Sequence, residues 1–262
     1  MSEPAAYKRL RGMYLLPNLF TTGAMFAGFY SIIAAMGGRY EHAAVAIFVA
    51  MVLDGLDGRV ARLTNTQSEF GVQYDSLSDL VSFGMAPALV MYQWALKDLD
   101  PLGVSWAKFG WLAAFVYAAA AALRLARFNT QAGMADKRYF QGLASPAAAA
   151  VIASVVWVAD DYGIAGADLR GFAVGIPVVL GLLMVSNFRY YSFKDIDPRR
   201  RIRFFWILVM VAMLVFAAIN PPLFLFVISM AYAASGPVLT FNRRRRKLAL
   251  KRHEARAVER RS

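Results

Sequence analysis

Long apolar stretches separated by short charged clusters run the length of the chain. They lie near Met13 to Met36, Ala43 to Arg62, Leu77 to Leu96, Trp106 to Leu123, Leu143 to Ala159, Gly171 to Asn187, Phe204 to Ile219 and Leu223 to Leu239. A helix crossing a bilayer needs roughly 20 mostly apolar residues. The pattern therefore predicts an all-α, polytopic integral membrane bundle of about eight transmembrane helices. Between the last two stretches stands only Asn220-Pro221-Pro222, which one long helix could not absorb, so a tight hairpin is expected there. The first stretch follows basic residues, as a signal peptide would. It is too long for one and lacks a small-residue cleavage site, so it is expected to remain as the first span.

Positive charge orients the bundle. Of the 29 Lys and Arg residues, all but Arg39, Lys97, Lys108 and Arg170 fall on the side that an even number of spans assigns to both termini. Basic residues accumulate on the cytoplasmic face of membrane proteins, so both termini are expected there. Asp160, Asp161 and Asp168 then share one external loop. The net charge of +12 would suit nucleic acid, but no soluble recognition domain is expected to present it. Anionic membrane lipid is the expected partner, because Arg243 to Lys247 follow directly on the last span. Beyond them the tail to Ser262 is expected as a frayed, charged helix on the membrane surface.

Composition narrows the chemistry. Of 262 residues, 59% are apolar and 18% charged, which is too apolar for a water-soluble domain of this size. The mean hydropathy of +0.45 agrees. With no cysteine, thiolate metal sites, disulfides and cysteine nucleophiles are excluded. His42 and His253 are far apart in sequence, so a metal would have to be held by oxygen.

The segment from Asp54 to Asp79 does not fit a passive bundle. Asp54 lies about eleven residues into the second span, roughly 16 Å from its external end. A bare carboxylate at that depth is costly, and intramembrane acids face a cavity, a partner charge or a metal. Asp57, Gly58, Ala61 and Arg62 share the helical face of Asp54, and Asp75 and Asp79 are one turn apart at the start of the third span. Four carboxylates aimed into one cytoplasm-facing pocket repel unless cations compensate them. Oxygen-only ligation favours Mg²⁺ or Mn²⁺, and two such ions suit displacement at phosphorus. Gly58 and Ala61 leave space for a ligand, or equally for a neighbouring helix.

Read as written, Asp54-Gly-Leu-Asp57-Gly58-Arg-Val-Ala61-Arg62, then eight residues, then Gly71-Val-Gln-Tyr-Asp75-Ser-Leu-Ser-Asp79, the segment resembles the signature of the CDP-alcohol phosphatidyltransferases. These are integral-membrane enzymes of phospholipid synthesis that displace CMP from a CDP-alcohol with an acceptor hydroxyl. The resemblance implies a six-helix core with the last two spans as an extension: a catalytic membrane domain over 1–200, a transmembrane hairpin over 201–242 and a basic tail over 243–262. It implies that Asp54 and Asp75 bridge two metal ions, that Asp57 completes one site and Asp79 the other, and that Asp79 is the general base. It places the cytidine diphosphate of the donor against Gly58 and Arg62, with Ser68 and Gly71 nearby. Pro17-Asn18-Leu-Phe-Thr21 resembles the family's amino-terminal donor-binding element, which brings in Asn18 and Thr21; a plain helix start would also explain it.

Three further segments resemble the serine-using branch of that family: Arg124-Leu-Ala-Arg127-Phe-Asn129, Phe140-Gln-Gly142-Leu-Ala-Ser145-Pro146 and Ser186-Asn-Phe-Arg189-Tyr-Tyr-Ser192-Phe-Lys194. Ala144 stands where the branch often carries a second proline. The resemblance implies transfer of a phosphatidyl group from CDP-diacylglycerol to L-serine, by a homodimer working at the cytoplasmic side of the cell's inner membrane. A carboxylate acceptor wants a guanidinium or ammonium partner, which Arg124, Arg127, Arg189 or Lys194 could supply, and Asn129 of the same segment is a further acceptor candidate. The same bases could instead only enforce topology. Two other readings stand beside this one: a sister enzyme using glycerol 3-phosphate or an inositol compound, and a divalent-cation transporter. No second acidic copy is visible in the later spans to favour transport.

Overall fold

A computed structural model describes residues 5–64, 66, 68–131, 139–191 and 204–259. Nine α-helices are found among them: α1 (Ala5–Met36), α2 (Tyr40–Leu63), α3 (Glu69–Asp79), α4 (Ala86–Trp94), α5 (Val104–Gln131), α6 (Ser145–Asp161), α7 (Arg170–Val185), α8 (Phe204–Ile219) and α9 (Pro221–Glu259). A π-helical turn, Leu80–Met85, joins α3 to α4, and 3₁₀ turns precede α5 and α7. Two three-residue strands, β1 (Tyr139–Gln141) and β2 (Arg189–Tyr191), pair antiparallel with Phe140 opposite Tyr190. Four stretches, Pro17–Met36, Val104–Thr130, Gly166–Val185 and Pro221–Phe241, are long and apolar enough by themselves to cross a membrane.

The side chains are sorted as a lipid environment demands. Small residues fill the inside, among them Ala34, Ala43, Ala44, Ala50, Ala121, Ala148 and Ala149, while Phe26, Phe29, Phe115, Phe172 and Leu182 stand exposed on the outside. Apolar surface gains nothing by leaving lipid, so membrane helices associate through close packing and buried hydrogen bonds, which small residues allow. Three serines show the second device. Ser31 donates to Ala43 O at 2.7 Å, tying α1 to α2; Ser82 donates to Ala24 O at 3.0 Å; and Ser154 shares a 3.0 Å bond with Ser229, tying α6 to α9.

Several boundaries differ from the sequence expectation. The first helix begins at Ala5 rather than near Met13, so Pro17 lies inside it instead of at a helix start. The third helical segment begins at Glu69, because Ser68 caps it: its Oγ accepts from Gly71 N at 3.0 Å. The π turn was not expected. In it the Tyr117 hydroxyl of α5, fully buried, donates to Phe83 O at 3.0 Å, supplying a partner where the regular ladder is disturbed. The hairpin at Asn220 is as expected, with Asn220 Oδ1 accepting from Leu223 N at 3.0 Å. The basic tail is no separate element but continues α9 as far as Glu259, consistent with its run of Arg, Lys, Leu and Ala, all strong helix formers.

Candidate metal and donor site

α1 packs against both α2 and α3. This brings the acids into one group. Carboxyl oxygens of Asp54, Asp57 and Asp75 lie within 4.8 Å of one another, the one such cluster of three or more potential ligands among the described residues. The carboxyls of Asp75 and Asp79 are both within hydrogen-bonding contact of that of Asp54, so all four aspartates converge. Two carboxylates approach so closely only with a proton or a cation between them. One oxygen of Asp75 is buried with no hydrogen-bond partner, an orphan that a cation would satisfy. The donor set of hard oxygens fits a divalent ion such as Mg²⁺ or Mn²⁺.

Buried hydroxyls hold the acids in place. Thr21 of α1 donates to Asp57 Oδ2 at 2.8 Å, and Ser78 beside Asp79 donates back to Thr21 O at 3.0 Å. Thr22 shares a 2.9 Å bond with the Tyr74 hydroxyl, and Asn129 of α5 donates to Ser76 at 2.9 Å. Thr21 is thus a brace for an acid, and Asn129 a brace for α3. Sequence reasoning overlooked Tyr74, Ser76 and Ser78, although the Ser-Leu-Ser between Asp75 and Asp79 was a signal: each hydroxyl adjoins one acid and lies three residues from the other, so on a helix it can reach the neighbouring elements.

The remaining donor candidates line the mouth of this group. A β-carbon on Gly58 would meet nothing within 4 Å, so its backbone is open to a ligand. Arg62, exposed one turn on, donates from Nε to Gly58 O at 2.9 Å and leaves its terminal amines available. At Gly71 a β-carbon would come 3.2 Å from Ser68 Oγ and 3.7 Å from Asn18 Oδ1, which places Asn18 and Ser68 together at the head of α3.

The acceptor candidates separate. The Arg124 guanidinium interacts electrostatically with Asp79; its Nη1 donates to Ser145 at 3.1 Å and its Nε is buried without a partner. Arg127, one turn further, is turned to the loops: it donates to Gln141 Oε1, to Asn187 Oδ1 at 2.8 Å and to Val185 O at 3.4 Å. It clamps the β1 and β2 segments to the end of α7. Gly142 belongs to the same clamp, since its φ of +78° and a β-carbon position 2.1 Å from Met184 O admit glycine alone. The side chain of Arg189 and the whole of Lys194 lie outside the described residues.

A helical membrane bundle with four aspartates gathered across two helices defines a class, and comparison with known proteins identifies it. The family model for CDP-alcohol phosphatidyltransferase matches residues 14–186, and the chain belongs to that family. It is a membrane transferase of phospholipid synthesis that carries out CDP-alcohol phosphatidyl transfer. A CDP-diacylglycerol–serine O-phosphatidyltransferase of Helicobacter pylori is 39% identical over 184 residues, spanning 70% of this chain and 75% of the relative. One of the same name from Mycobacterium leprae is 31% identical over 254 residues, 93% and 80% of the two chains. An archaetidylserine synthase of Methanothermobacter thermautotrophicus is 31% identical over 185 residues, 70% and 72%.

Proposed function

We propose that the protein transfers the phosphatidyl group of CDP-diacylglycerol to the hydroxyl of L-serine, releasing CMP at the cytoplasmic face of the membrane. The observation that carries this reading is the convergence of Asp54, Asp57, Asp75 and Asp79, with the Arg124 guanidinium interacting electrostatically with Asp79. The relatives with serine in their names support the acceptor. The donor's head group lies at the open backbone of Gly58 with Arg62 on its phosphates, and Asn18 and Gly71 shape the same mouth. The four aspartates would hold two divalent cations, Mg²⁺ or Mn²⁺, which would supply charge neutralisation for the pyrophosphate and for the leaving CMP.

Asp79 takes the proton of the serine hydroxyl as that oxygen forms its bond to the phosphorus carrying diacylglycerol. The bond from this phosphorus to the bridging oxygen breaks, and the electron pair leaves on CMP. Serine binds with its carboxylate on the Arg124 guanidinium, which sets its hydroxyl toward Asp79 and uses the one arginine of the segment not committed to the loops. Eight spans with both termini cytoplasmic bring the acids, the loops and the basic tail to the same face.

The test is to supply purified protein with CDP-diacylglycerol and each alcohol in turn while following CMP. Release with serine and not with glycerol 3-phosphate or inositol phosphate is expected. Equal or greater release with a phosphorylated alcohol would overturn the acceptor assignment.

A further inference from the structure

Two prolines of the bundle stand four residues after a carbonyl that a tyrosine of another element has taken. In an α-helix each carbonyl is met by the N–H four residues on. For Phe83 that position is Pro87, and for Ala233 it is Pro237, and neither has an N–H to give. In a membrane interior no water stands ready to replace the missing donor. The Tyr117 hydroxyl donates to Phe83 O and the Tyr190 hydroxyl to Ala233 O, each at 3.0 Å, and both tyrosines are fully buried. The second arrangement fastens β2 to α9. The first lies in the π turn Leu80–Met85, which starts at the residue after Asp79.

This turn is held from two sides. On α1, Ser78 beside Asp79 bonds Thr21 O and Ser82 within the turn bonds Ala24 O, both at 3.0 Å; Gly28 leaves room for Ser82, since a β-carbon there would stand 2.7 Å from its Oγ. On α5, Tyr117 reaches Phe83 O, and Ala121 one turn on lies beside Gly84, where a β-carbon would come 3.2 Å from its methyl. Past the turn, α4 buries Ala86, Ala88, Val90 and Met91.

We propose that Tyr117 is a positioning residue for Asp79: by standing in for the N–H that Pro87 lacks, its hydroxyl keeps the π turn open and so aims the Asp79 carboxyl at Asp54. A π turn takes in one residue more than an α turn. Closing it to a regular turn would rotate α3 against α4 by about 100°, the angle of one residue, so that Asp79 could not meet Asp54 while α4 kept its apolar side buried. The proposal rests on the reading of Asp79 as the base. Tyr117 acts through the backbone, four residues beyond that acid.

The experiment is steady-state kinetics and thermal melting of full-length, purified Tyr117→Phe, of Tyr117→Phe combined with Pro87→Ala, and of Tyr190→Phe. Tyr117→Phe is expected to lower kcat at least about tenfold, since a misplacement of about 1 Å costs on the order of 10²-fold, with the serine and CDP-diacylglycerol KM within about twofold of wild type. Adding Pro87→Ala returns an N–H to Phe83 O and lets the turn close as a regular helix, so the melting temperature is expected to recover while kcat stays low. Tyr190→Phe, which breaks the same kind of bond in α9, is expected to lower the melting temperature and leave kcat within about twofold of wild type. If Tyr117→Phe alone does not fold, the double variant, which gives Phe83 O a backbone donor, is read for kcat in its place. A wild-type kcat in Tyr117→Phe overturns the proposal, as does a kcat that recovers with the melting temperature in the double variant, or an equal loss of kcat in Tyr190→Phe. An active Asp79→Asn enzyme removes the base assignment itself, whereas an inactive Asp79→Asn beside a fully active Tyr117→Phe removes this inference alone.

Discussion

The two charged regions at this end of the bundle are built on opposite plans. In the acidic region on α2 and α3, the carboxyls face one another and one Asp75 oxygen has no partner at all. In the basic region around Arg127, a single guanidinium is consumed by Gln141, Asn187 and Val185 O. The first holds charge in reserve for a ligand, and the second has used its charge to fasten loops. Substitutions in the first should therefore change chemistry more than stability, and in the second stability more than chemistry.

The largest effect is expected at Asp54, the carboxyl that the others touch. Asp54→Asn should reduce CMP release to background and also abolish the rise in melting temperature on adding Mg²⁺ or Mn²⁺. That rise corresponds in the wild type to about 2.7 kcal/mol when the ion stands at 100 times its Kd. Without metal the same variant should melt higher than wild type, because one of the mutually repelling charges is gone. A lower melting temperature would show that the acids are paired structurally and break the comparison. Asp79→Asn should lower kcat by about 10² to 10⁴ while donor affinity survives, measured by single-turnover CMP release and donor binding. Full activity would remove the base assignment.

Smaller and opposite in kind is Arg127→Gln. Its bonds are half-exposed and so partly replaced by water, and a loss of about 1 kcal/mol in thermal stability is expected with the serine KM within about twofold of wild type. Smallest is Thr21→Val, which removes the brace on Asp57 while keeping its volume. It should weaken metal-dependent stabilisation by about 1 kcal/mol, read from melting curves across a metal titration.

How much of this could be seen in the residues differs by region for a physical reason. The acidic cluster was legible because its members repeat at helical spacing on two adjacent spans, and local periodicity alone puts Asp54 with Asp57 and Asp75 with Asp79. The hairpin at Asn220-Pro221-Pro222 was legible because proline chemistry is local too. The division between Arg124 and Arg127 was not. The two are one turn apart, and which of them interacts with Asp79 depends on the rotation of α5, set by contacts such as Tyr117 to Phe83 O that join residues far apart in sequence. The π turn escaped notice for the same reason. The early start of α3 could have been read from Ser68 as a cap, had it not been weighed as a donor ligand.

On α9 a β-carbon at Gly236 would stand 2.3 Å from the ring of Tyr190, and this notch has a practical bearing on anyone wishing to exchange parts among these enzymes. Because the ring of Tyr190 occupies the space a side chain would need there, the two positions work as lock and key, and both lie beyond residue 186, where the family match ends. A chimera cut between them would bring together a bulky ring and an unsuited groove, so the seam must be placed to keep both from one parent.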